Sequence, residues 1–398
     1  MSSLRAAPAS SIPRNVDGNA DGNVECNAER AAVAATRRCK LRSEFAGNLM
    51  TEMTQTTPLR LSLPASLSRR WQVLPIIEIV VLVIGALLPL VLKDYLTVYA
   101  TRVLILCLFA LSFDLVWGYA GIMSFGQAVF FGTAGYGVAL IARDLGVTSI
   151  LLVLPAGLLI GLAFALLLGG FLLLGRHPAS VIFVSLGTLT GSYAADRVAR
   201  GWYYLGGQNG IPSIPPMSLG SYDITEGPVY YYLALGIVVL VYLACRFLVR
   251  SQFGLALAGL RENEQRIAFF GYQVQRLKAI IFSFAGAIAG LAGSLYAFHE
   301  GFVWPNILGV VMSTQVVLYV LFGGSGTLIG AVIGTIAIEA VSFWLSNSYQ
   351  DIWPIILGVL LLLVILFRPA GLVSLILSER ERVGNFGRPP GKGDHGSS

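Results

Sequence analysis

The sequence predicts an all-α polytopic membrane protein with about ten transmembrane helices, some of them broken or re-entrant at glycine-rich segments. Three observations support this fold class. Charged residues make up only 12% and hydrophobic residues 56% of the 398 residues, whereas a soluble domain carries about 25% charged residues. Apolar runs recur between residues 74 and 367, and several approach the ~20 residues that a helix needs to cross the hydrocarbon. The 45 glycines suit helices that pack closely in lipid.

The apolar runs define ten candidate spans, separated by polar or glycine-rich junctions. The fifth is short of apolar residues, since it contains Ser185, Thr188 and Asp196, so we expect it to face protein or water. The junctions 118–121 (GYAG) and 323–326 (GGSG) need cover from other helices, because lipid offers exposed backbone no hydrogen bonds. The spans are 74–92, 97–117, 121–141, 149–174, 180–197, 228–247, 277–298, 307–323, 327–346 and 353–367.

The two ends of the chain differ in composition from the apolar region. Residues 1–70 are rich in Ala, Arg, Asn and Ser and show no apolar periodicity, which is typical of a disordered tail. We interpret residues 376–398 in the same way. Met50 and Met53 suggest that translation starts at one of them and that residues 1–49 are an over-extended gene start. Detection of peptides from this segment in the native protein would contradict that hypothesis.

Basic residues predict the orientation of the transmembrane domain, residues 71–375, because Lys and Arg accumulate in cytoplasmic loops. They cluster just before the first span, in the loop 248–276, and after the last span at 368–388. An even number of spans places all three clusters and both termini in the cytoplasm, with segment 198–227 outside. No aromatic–basic stripe accompanies the net charge of +6, so we interpret the charge as a sign of topology rather than of nucleic-acid binding.

The loop 248–276 contains a short amphipathic segment. Leu257, Leu260 and Ile267 follow a rough helical spacing, charged residues occupy the other face, and Gly271 is placed to end the helix. A helix of this kind is too short to span the bilayer. The residues alone leave two interpretations open: it docks in a groove on a cytoplasmic partner, or it lies on the bilayer surface.

Five blocks carry a recognisable pattern of glycine, small and aromatic residues. They are 118–136 (GYAGIMSFGQAVFFGTAGY), 206–212 (GGQNGIP), 260–272 (LRENEQRIAFFGY) continued by 276–278 (RLK) and 282–296 (FSFAGAIAGLAGSLY), 322–334 (FGGSGTLIGAVIG) and 366–372 (LFRPAGL). In this order they resemble the permeases of branched-chain amino acid ABC transporters, of the LivM type. The sequence departs from the family pattern at Gln127, where histidine is frequent, and at 304–306 (WPN). Permeases for urea and short-chain amides share every block, so both substrate classes stay open.

The resemblance implies a bacterial inner-membrane complex that imports branched-chain or other amino acids. The chain would assemble with a homologous second permease subunit, two cytosolic ATPase subunits and an extracytoplasmic substrate-binding protein. This sequence contains no P-loop motif, so ATP would be bound by the partner subunits, and we expect no catalytic site, cofactor or metal in this chain. The loop would contact the ATPase through Arg261, Glu262, Glu264 and Gly271, and would transmit its closure as a rocking of the spans.

Six polar residues are candidates for the translocation path. Asp114 and Glu339 are charged residues at or within spans, and such residues are functional candidates by default. For Glu339, capping of a broken helix is an equal alternative. The other candidates lie in the block 118–136, whose glycines alternatively serve tight helix packing. These are Ser124, Gln127, Thr133 and Tyr136.

Two other classes of function are less consistent with the sequence. An ion-coupled secondary carrier acting alone predicts inverted repeats and paired charges at the membrane midplane, whereas this sequence has few such charges and a docking-like loop. A membrane enzyme predicts a catalytic motif, and neither H-E-x-x-H nor G-x-S-x-G occurs. Co-purification with an ATPase would separate the carrier from the ABC permease.

Overall fold

The computed structural model describes residues 73–174, 181–220, 222–224 and 227–348, together with 358, 359 and 362. Both predicted tails, the proposed start at Met50 or Met53, and nearly all of the tenth span, 353–367, lie outside the described residues.

The described residues form eleven α-helices joined by short connections. A π-helical turn, Leu115–Tyr119, extends α2, and a small antiparallel hairpin pairs β1 (Met217–Leu219) with β2 (Tyr222–Ile224). Three 3₁₀ turns occupy Tyr203–Leu205, Gly207–Asn209 and Pro305–Leu308. The helices are α1 (Val73–Val91), α2 (Asp94–Asp114), α3 (Gln127–Leu145), α4 (Ile150–Leu173), α5 (Val181–Gly201), α6 (Pro228–Arg250), α7 (Gln252–Glu262), α8 (Glu264–Phe269), α9 (Val274–Glu300), α10 (Val310–Gly323) and α11 (Leu328–Ser348).

Each of the first nine predicted spans overlaps one of these helices. Six helices of the described chain are long and apolar enough to cross a membrane: α2 with its π-helical turn, α3, α4, α6, α9 and α11. The apolar parts of α1 and α10 are shorter, at Ile77–Val91 and Val310–Gly323. The predicted helical fold with several candidate membrane spans is therefore confirmed, whereas the count of ten spans is not.

Helix α9 lies at the centre of the bundle and packs against α2, α3 and α4. Almost all of its side chains beyond Leu277 are buried, and small residues line its contact with α4. A Cβ added at Gly290 would lie 2.7 Å from Cα of Gly161, so the two backbones touch. The outer face of α4 instead exposes large apolar side chains such as Leu167 and Phe171. Small residues inside and large apolar residues outside are the arrangement expected of a lipid-embedded bundle.

Helix α5 also has one buried face and one exposed apolar face. Thr188 and Ser192 are fully buried, whereas Ile182, Phe183 and Leu186 on the opposite face are exposed. The polar residues that set this segment apart in the sequence therefore face protein, and the opposite face is apolar.

The connections between helices gather at two ends of the bundle. At one end, the glycine junctions after α2 and α10 meet α7. At the other end, the amide of Ile211 donates to the carbonyl oxygen of Val303 at 2.8 Å, and the amide of Ser218 donates to that of Thr148 at 2.9 Å. The alternating direction of the predicted spans likewise places the two glycine junctions and the loop 248–276 on one side of the membrane, and segment 198–227 on the other. Which end faces the cytoplasm stays a prediction.

Candidate coupling and translocation site

The backbone leaves the helical conformation between the π-helical turn and α3, at residues 120–126. Gly121 adopts a φ of +71° there, in the left-handed region that favours glycine. Two hydroxyls of α5 satisfy this irregular backbone: Thr188 Oγ1 accepts from the amide of Phe125 at 3.1 Å, and Ser185 Oγ donates to the carbonyl oxygen of Met123 at 2.9 Å. Because the bilayer interior offers no such partners, the polar residues of α5 explain how this break is tolerated among the helices.

A small polar cluster lies where α3 begins. Gln127 is fully buried; its Nε2 donates to Ser112 Oγ at 3.3 Å, and its Oε1 has no hydrogen-bond partner in the described structure. Ser124 is also buried, and its Oγ accepts from the amide of Gly126 at 3.4 Å. Ser313 Oγ of α10 accepts from the amide of Ala128 at 3.3 Å. The cluster thus contains two sequence candidates, Ser124 and Gln127, together with Ser112 and Ser313. The last two were not predicted, although each is a hydroxyl residue within an apolar run.

The other two candidates in this block lie further along α3. Thr133 Oγ1 donates to the carbonyl oxygen of Val129 at 2.6 Å, a bond within its own helix. Tyr136 is buried, and its hydroxyl has no hydrogen-bond partner among the described residues. The neighbouring glycines serve packing: a Cβ at Gly132 would lie 2.7 Å from Leu308 Cγ, and one at Gly135 would lie 3.2 Å from the Gly293 oxygen.

Asp114 is the last residue of α2, two residues after Ser112, and lies at the first glycine junction. Its side chain is fully buried, and Oδ1 accepts from the amide of Gly326 at 2.7 Å. Its Oδ2 has no hydrogen-bond partner in the part of the chain that the structure describes. A Cβ at Gly118 would lie 2.5 Å from the Gly326 nitrogen, so the two glycine junctions, 208 residues apart in the chain, are in contact.

Arg261 reaches this contact from α7. Its Nη1 donates to the carbonyl oxygen of Gly118, and a Cβ at Gly326 would lie 2.9 Å from the same nitrogen. Leu257 and Leu260 are buried on the same helix. The amphipathic segment therefore packs against the protein at both glycine junctions.

The loop differs from the single helix that the sequence predicted. It forms two helices, α7 and α8, because Asn263 leaves the helical conformation and its Oδ1 accepts from the amides of Gln265 at 3.0 Å and Arg266 at 3.1 Å, as an N-cap does. Gly271, with a φ of +84°, follows α8 as expected. Glu264 accepts from Lys278 Nζ at 2.6 Å.

The four predicted ATPase contacts thus fall into two groups. Arg261 and Glu264 bind other parts of this chain, although Arg261 is also exposed; Glu262 and Gly271 are exposed as well. Their contact with an ATPase stays a prediction. Two aromatic residues at the tip of the loop were not among the predicted contacts: Phe269 and Phe270 are 90% and 78% exposed.

Glu339 joins three helices in the interior of the bundle. It is 5% exposed, and its carboxylate accepts from Tyr99 Oη at 3.0 Å, from Gln315 Nε2 at 3.2 Å and from Tyr319 Oη. Tyr99 lies on α2, Gln315 and Tyr319 on α10, and Glu339 on α11. These partners are side chains rather than amides at the end of a broken helix, so the carboxylate acts as a cross-link between helices.

Comparisons of the sequence with known proteins assign the chain to a family. The profile described as "Branched-chain amino acid transport system / permease component" matches residues 95–365, which is well over half of the chain. The chain belongs to this permease family. The match includes the broken segment, the loop helices and the second glycine junction, so the resemblance on which the sequence analysis relied is confirmed.

Individual relatives of this permease are distant. The high-affinity branched-chain amino acid transport system permease protein LivM of Escherichia coli K12 is 28% identical, over 69% of either chain. The probable LivM permease of Methanocaldococcus jannaschii is 30% identical over 42% of this chain and 53% of its own length. The autoinducer 2 import system permease protein LsrC of Escherichia coli O157:H7 is 28% identical over 38% of this chain and 47% of its own. No solved structure matches the permease significantly.

The end of the permease opposite α7 carries a second polar network. Asp196 Oδ2 and Arg200 Nε of α5 are 2.9 Å apart, and Arg200 Nη2 also donates to Asn306 Oδ1. Ser192 Oγ donates to the carbonyl oxygen of Leu308 at 2.6 Å. Since Asn306 and Leu308 belong to the 3₁₀ turn before α10, α5 is fixed at this end as well as at the break. The residues described contain no group of three or more His, Cys, Asp or Glu side chains that could hold a metal ion.

Proposed function

We propose that this permease is one transmembrane subunit of an ATP-driven importer of branched-chain amino acids. The observation that carries the proposal is the attachment of α7, a short helix outside the predicted spans, to the ends of α2 and α11 through Arg261. Such a helix converts movement of a cytosolic partner into movement of the spans, as a rigid-body transition requires. ATP would be bound by that partner, and the proposed orientation places α7 and both termini in the cytoplasm.

The tip of the loop supports a docking role rather than simple contact with lipid headgroups. Helix α7 buries Leu257 and Leu260 against its own chain, and Leu255 near its start is 68% exposed. The aromatic rings that stay uncovered, Phe269 and Phe270, project beyond it on α8 and in the residue after α8. Aromatic residues are enriched in the cores of protein interfaces, and Glu262 lies exposed at the end of α7. We propose that the loop tip enters a groove of the ATPase.

The translocation path is proposed to pass the polar cluster at the start of α3. Ser112, Ser124, Gln127 and Ser313 offer uncharged hydrogen-bonding groups between α2, α3 and α10. Gln127 Oε1 is buried and has no hydrogen-bond partner among the described residues. Weak polar groups of this kind suit a solute that must pass without being held. Asp114 and Glu339 lie outside this cluster and accept from the Gly326 amide and from Tyr99, Gln315 and Tyr319, respectively.

The substrate class rests on the relatives. Two LivM permeases are named for branched-chain amino acid transport, and this chain is similar to them. The LsrC relatives are named for import of a different solute, and the sequence resemblance extends to urea and short-chain amide permeases. We propose branched-chain amino acids as the substrate and an extracytoplasmic binding protein and a second, homologous permease as further partners.

Uptake in cells tests this proposal. Labelled leucine, isoleucine, valine, urea and acetamide are supplied to cells that lack the gene and to the same cells complemented with it, before and after ATP depletion. We expect complementation to restore ATP-dependent uptake of the three amino acids. Restoration for urea or acetamide alone would change the substrate class and keep the importer. Uptake that survives ATP depletion but collapses with the ion gradient would contradict the importer and favour the carrier.

A further inference from the structure

Three segments that are far apart in the sequence converge on one point at the α7 end of the bundle. Asp114 and Gly118 come from the end of α2 and its π-helical turn, Gly326 precedes α11, and Arg261 belongs to α7. Two hydrogen bonds connect these segments. The α2 carboxylate accepts from the amide of Gly326 at 2.7 Å, while the α7 guanidinium donates to the carbonyl oxygen of Gly118. Each of the two charged side chains therefore binds the backbone of a different glycine junction.

These groups are packed in direct contact. A Cβ at Gly118 would overlap Asp114 Oδ1 and lie 2.5 Å from the Gly326 nitrogen. Gly326 has a φ of +82°, and a Cβ there would lie 2.9 Å from Arg261 Nη1. A Cβ at Gly121 would lie 3.5 Å from Arg261 Cα, so the backbone of α7 also packs against the first junction and a displacement of α7 displaces that junction.

The charges add a second restraint. The Asp114 side chain is fully buried, and its Oδ2 has no hydrogen-bond partner among the described residues. A buried carboxylate with one unpaired oxygen is costly unless an opposite charge lies nearby. Arg261 is the cation that the described structure places on the same pair of glycines. The favourable interaction therefore depends on α7 staying in this position.

We propose that Asp114 and Arg261 form a coupling latch that holds the glycine junctions 118–121 and 323–326 to α7, and that moves both junctions when a partner moves α7. The inference rests on the proposed function, since it assumes that a cytosolic ATPase drives the loop. Both residues are positioning residues: the latch joins the partner-driven helix to the broken segment that leads to Ser124 and Gln127.

The remainder of the loop is attached elsewhere. Glu264 pairs with Lys278 on the first turn of α9 at 2.6 Å, while Glu262 and Arg266 are exposed. A substitution at Arg266 therefore changes the charge of the loop without touching the latch, and it provides a matched control.

The test measures ATP hydrolysis and leucine accumulation together, in liposomes that contain the full complex. The complexes carry the wild-type chain, Asp114→Asn, Arg261→Ala, both substitutions, or Arg266→Ala. We expect each latch variant to lower the number of leucine molecules accumulated per ATP hydrolysed by about fivefold, the lower end of typical coupling between sites. The double variant is expected to be no worse than Arg261→Ala alone, because either substitution removes the attraction between the two charges. Arg266→Ala is expected to keep the wild-type ratio.

The alternative outcomes separate the latch from the proposed function. A merely structural role predicts that hydrolysis and accumulation fall in parallel, and an unchanged ratio in a folded Asp114→Asn complex would overturn the latch. Asparagine keeps the shape and the acceptor for the Gly326 amide, so this variant carries the test even if Arg261→Ala does not assemble. A wild-type complex that hydrolyses ATP without accumulating leucine would contradict the proposed function instead.

Discussion

Replacing Gly290 by valine is expected to destabilise the permease by about 3 kcal/mol, the upper part of the range for overpacked cores. A Cβ at this position would lie 2.5 Å from the carbonyl oxygen of Gly157 and 2.7 Å from Cα of Gly161. Both obstacles are backbone atoms of α4, so no side-chain rotation relieves the clash. The helices would have to separate along a contact that runs through the centre of the bundle, where close approach of small residues drives association.

The matched control for this prediction is Gly170→Val in α4, the helix against which Gly290 packs. Gly170 lies on α4, and a Cβ there meets nothing within 4 Å. Thermal and denaturant unfolding of the purified permease in detergent measures both variants. We expect a large loss of stability for Gly290→Val and a small change for Gly170→Val. Equal losses of stability would show that valine destabilises the helix that carries it, wherever it lies, and would contradict a specific role of the α4–α9 contact.

Replacing Glu339 by leucine is expected to destabilise the permease by about 2 kcal/mol, because it leaves buried donors without their acceptor. Tyr319 Oη donates to Glu339 Oε1, and Gln315 Nε2 lies 3.2 Å from the same oxygen. Tyr99 Oη loses its bond to the carboxylate at 3.0 Å but keeps one to the Glu339 carbonyl oxygen at 2.7 Å. The loss is therefore centred on α10, because the side-chain hydrogen bonds of Gln315 and Tyr319 to α11 end on this carboxylate.

The variant Glu339→Gln separates a cross-link from a place in the translocation path. Glutamine keeps an acceptor oxygen at the same distance, so we expect stability close to wild type and normal leucine transport per folded molecule. Unfolding in detergent and uptake by cells measure the two properties. A Glu339→Gln permease that folds normally but no longer transports would place Glu339 in the path, as the sequence analysis allowed.

The elements that could be predicted from the sequence are those that depend on local properties. Apolar runs located nine of the eleven helices, α1–α6 and α9–α11, because crossing the hydrocarbon requires a run of apolar residues. The GYAG junction predicted the break before α3, where Gly121 has a positive φ. The division of the loop at Asn263 was missed although its signal is local. An Asn followed by Glu264 in a first helical turn is typical of a helix start.

The parts that could not be predicted depend on contacts between distant segments. Asp114 binds the amide of Gly326, which lies 212 residues away, and no spacing rule relates them. Arg261 was assigned to a partner because an amphipathic helix shows its charged face as exposed, yet its guanidinium donates to Gly118. The polar residues of α5 suggested contact with protein or water, and the structure shows that Thr188 supports the break before α3.

The most direct test of the central claim uses the full complex in liposomes that trap no ATP, with the binding protein and labelled leucine inside. ATP is then added outside, where it reaches only the complexes whose α7 ends face outward. We predict that leucine leaves the lumen only when ATP is added, and that an imposed ion gradient without ATP has no effect. Release of leucine that is driven by the ion gradient alone, or that occurs equally with and without ATP, would contradict the assignment of this permease to an ATP-driven importer.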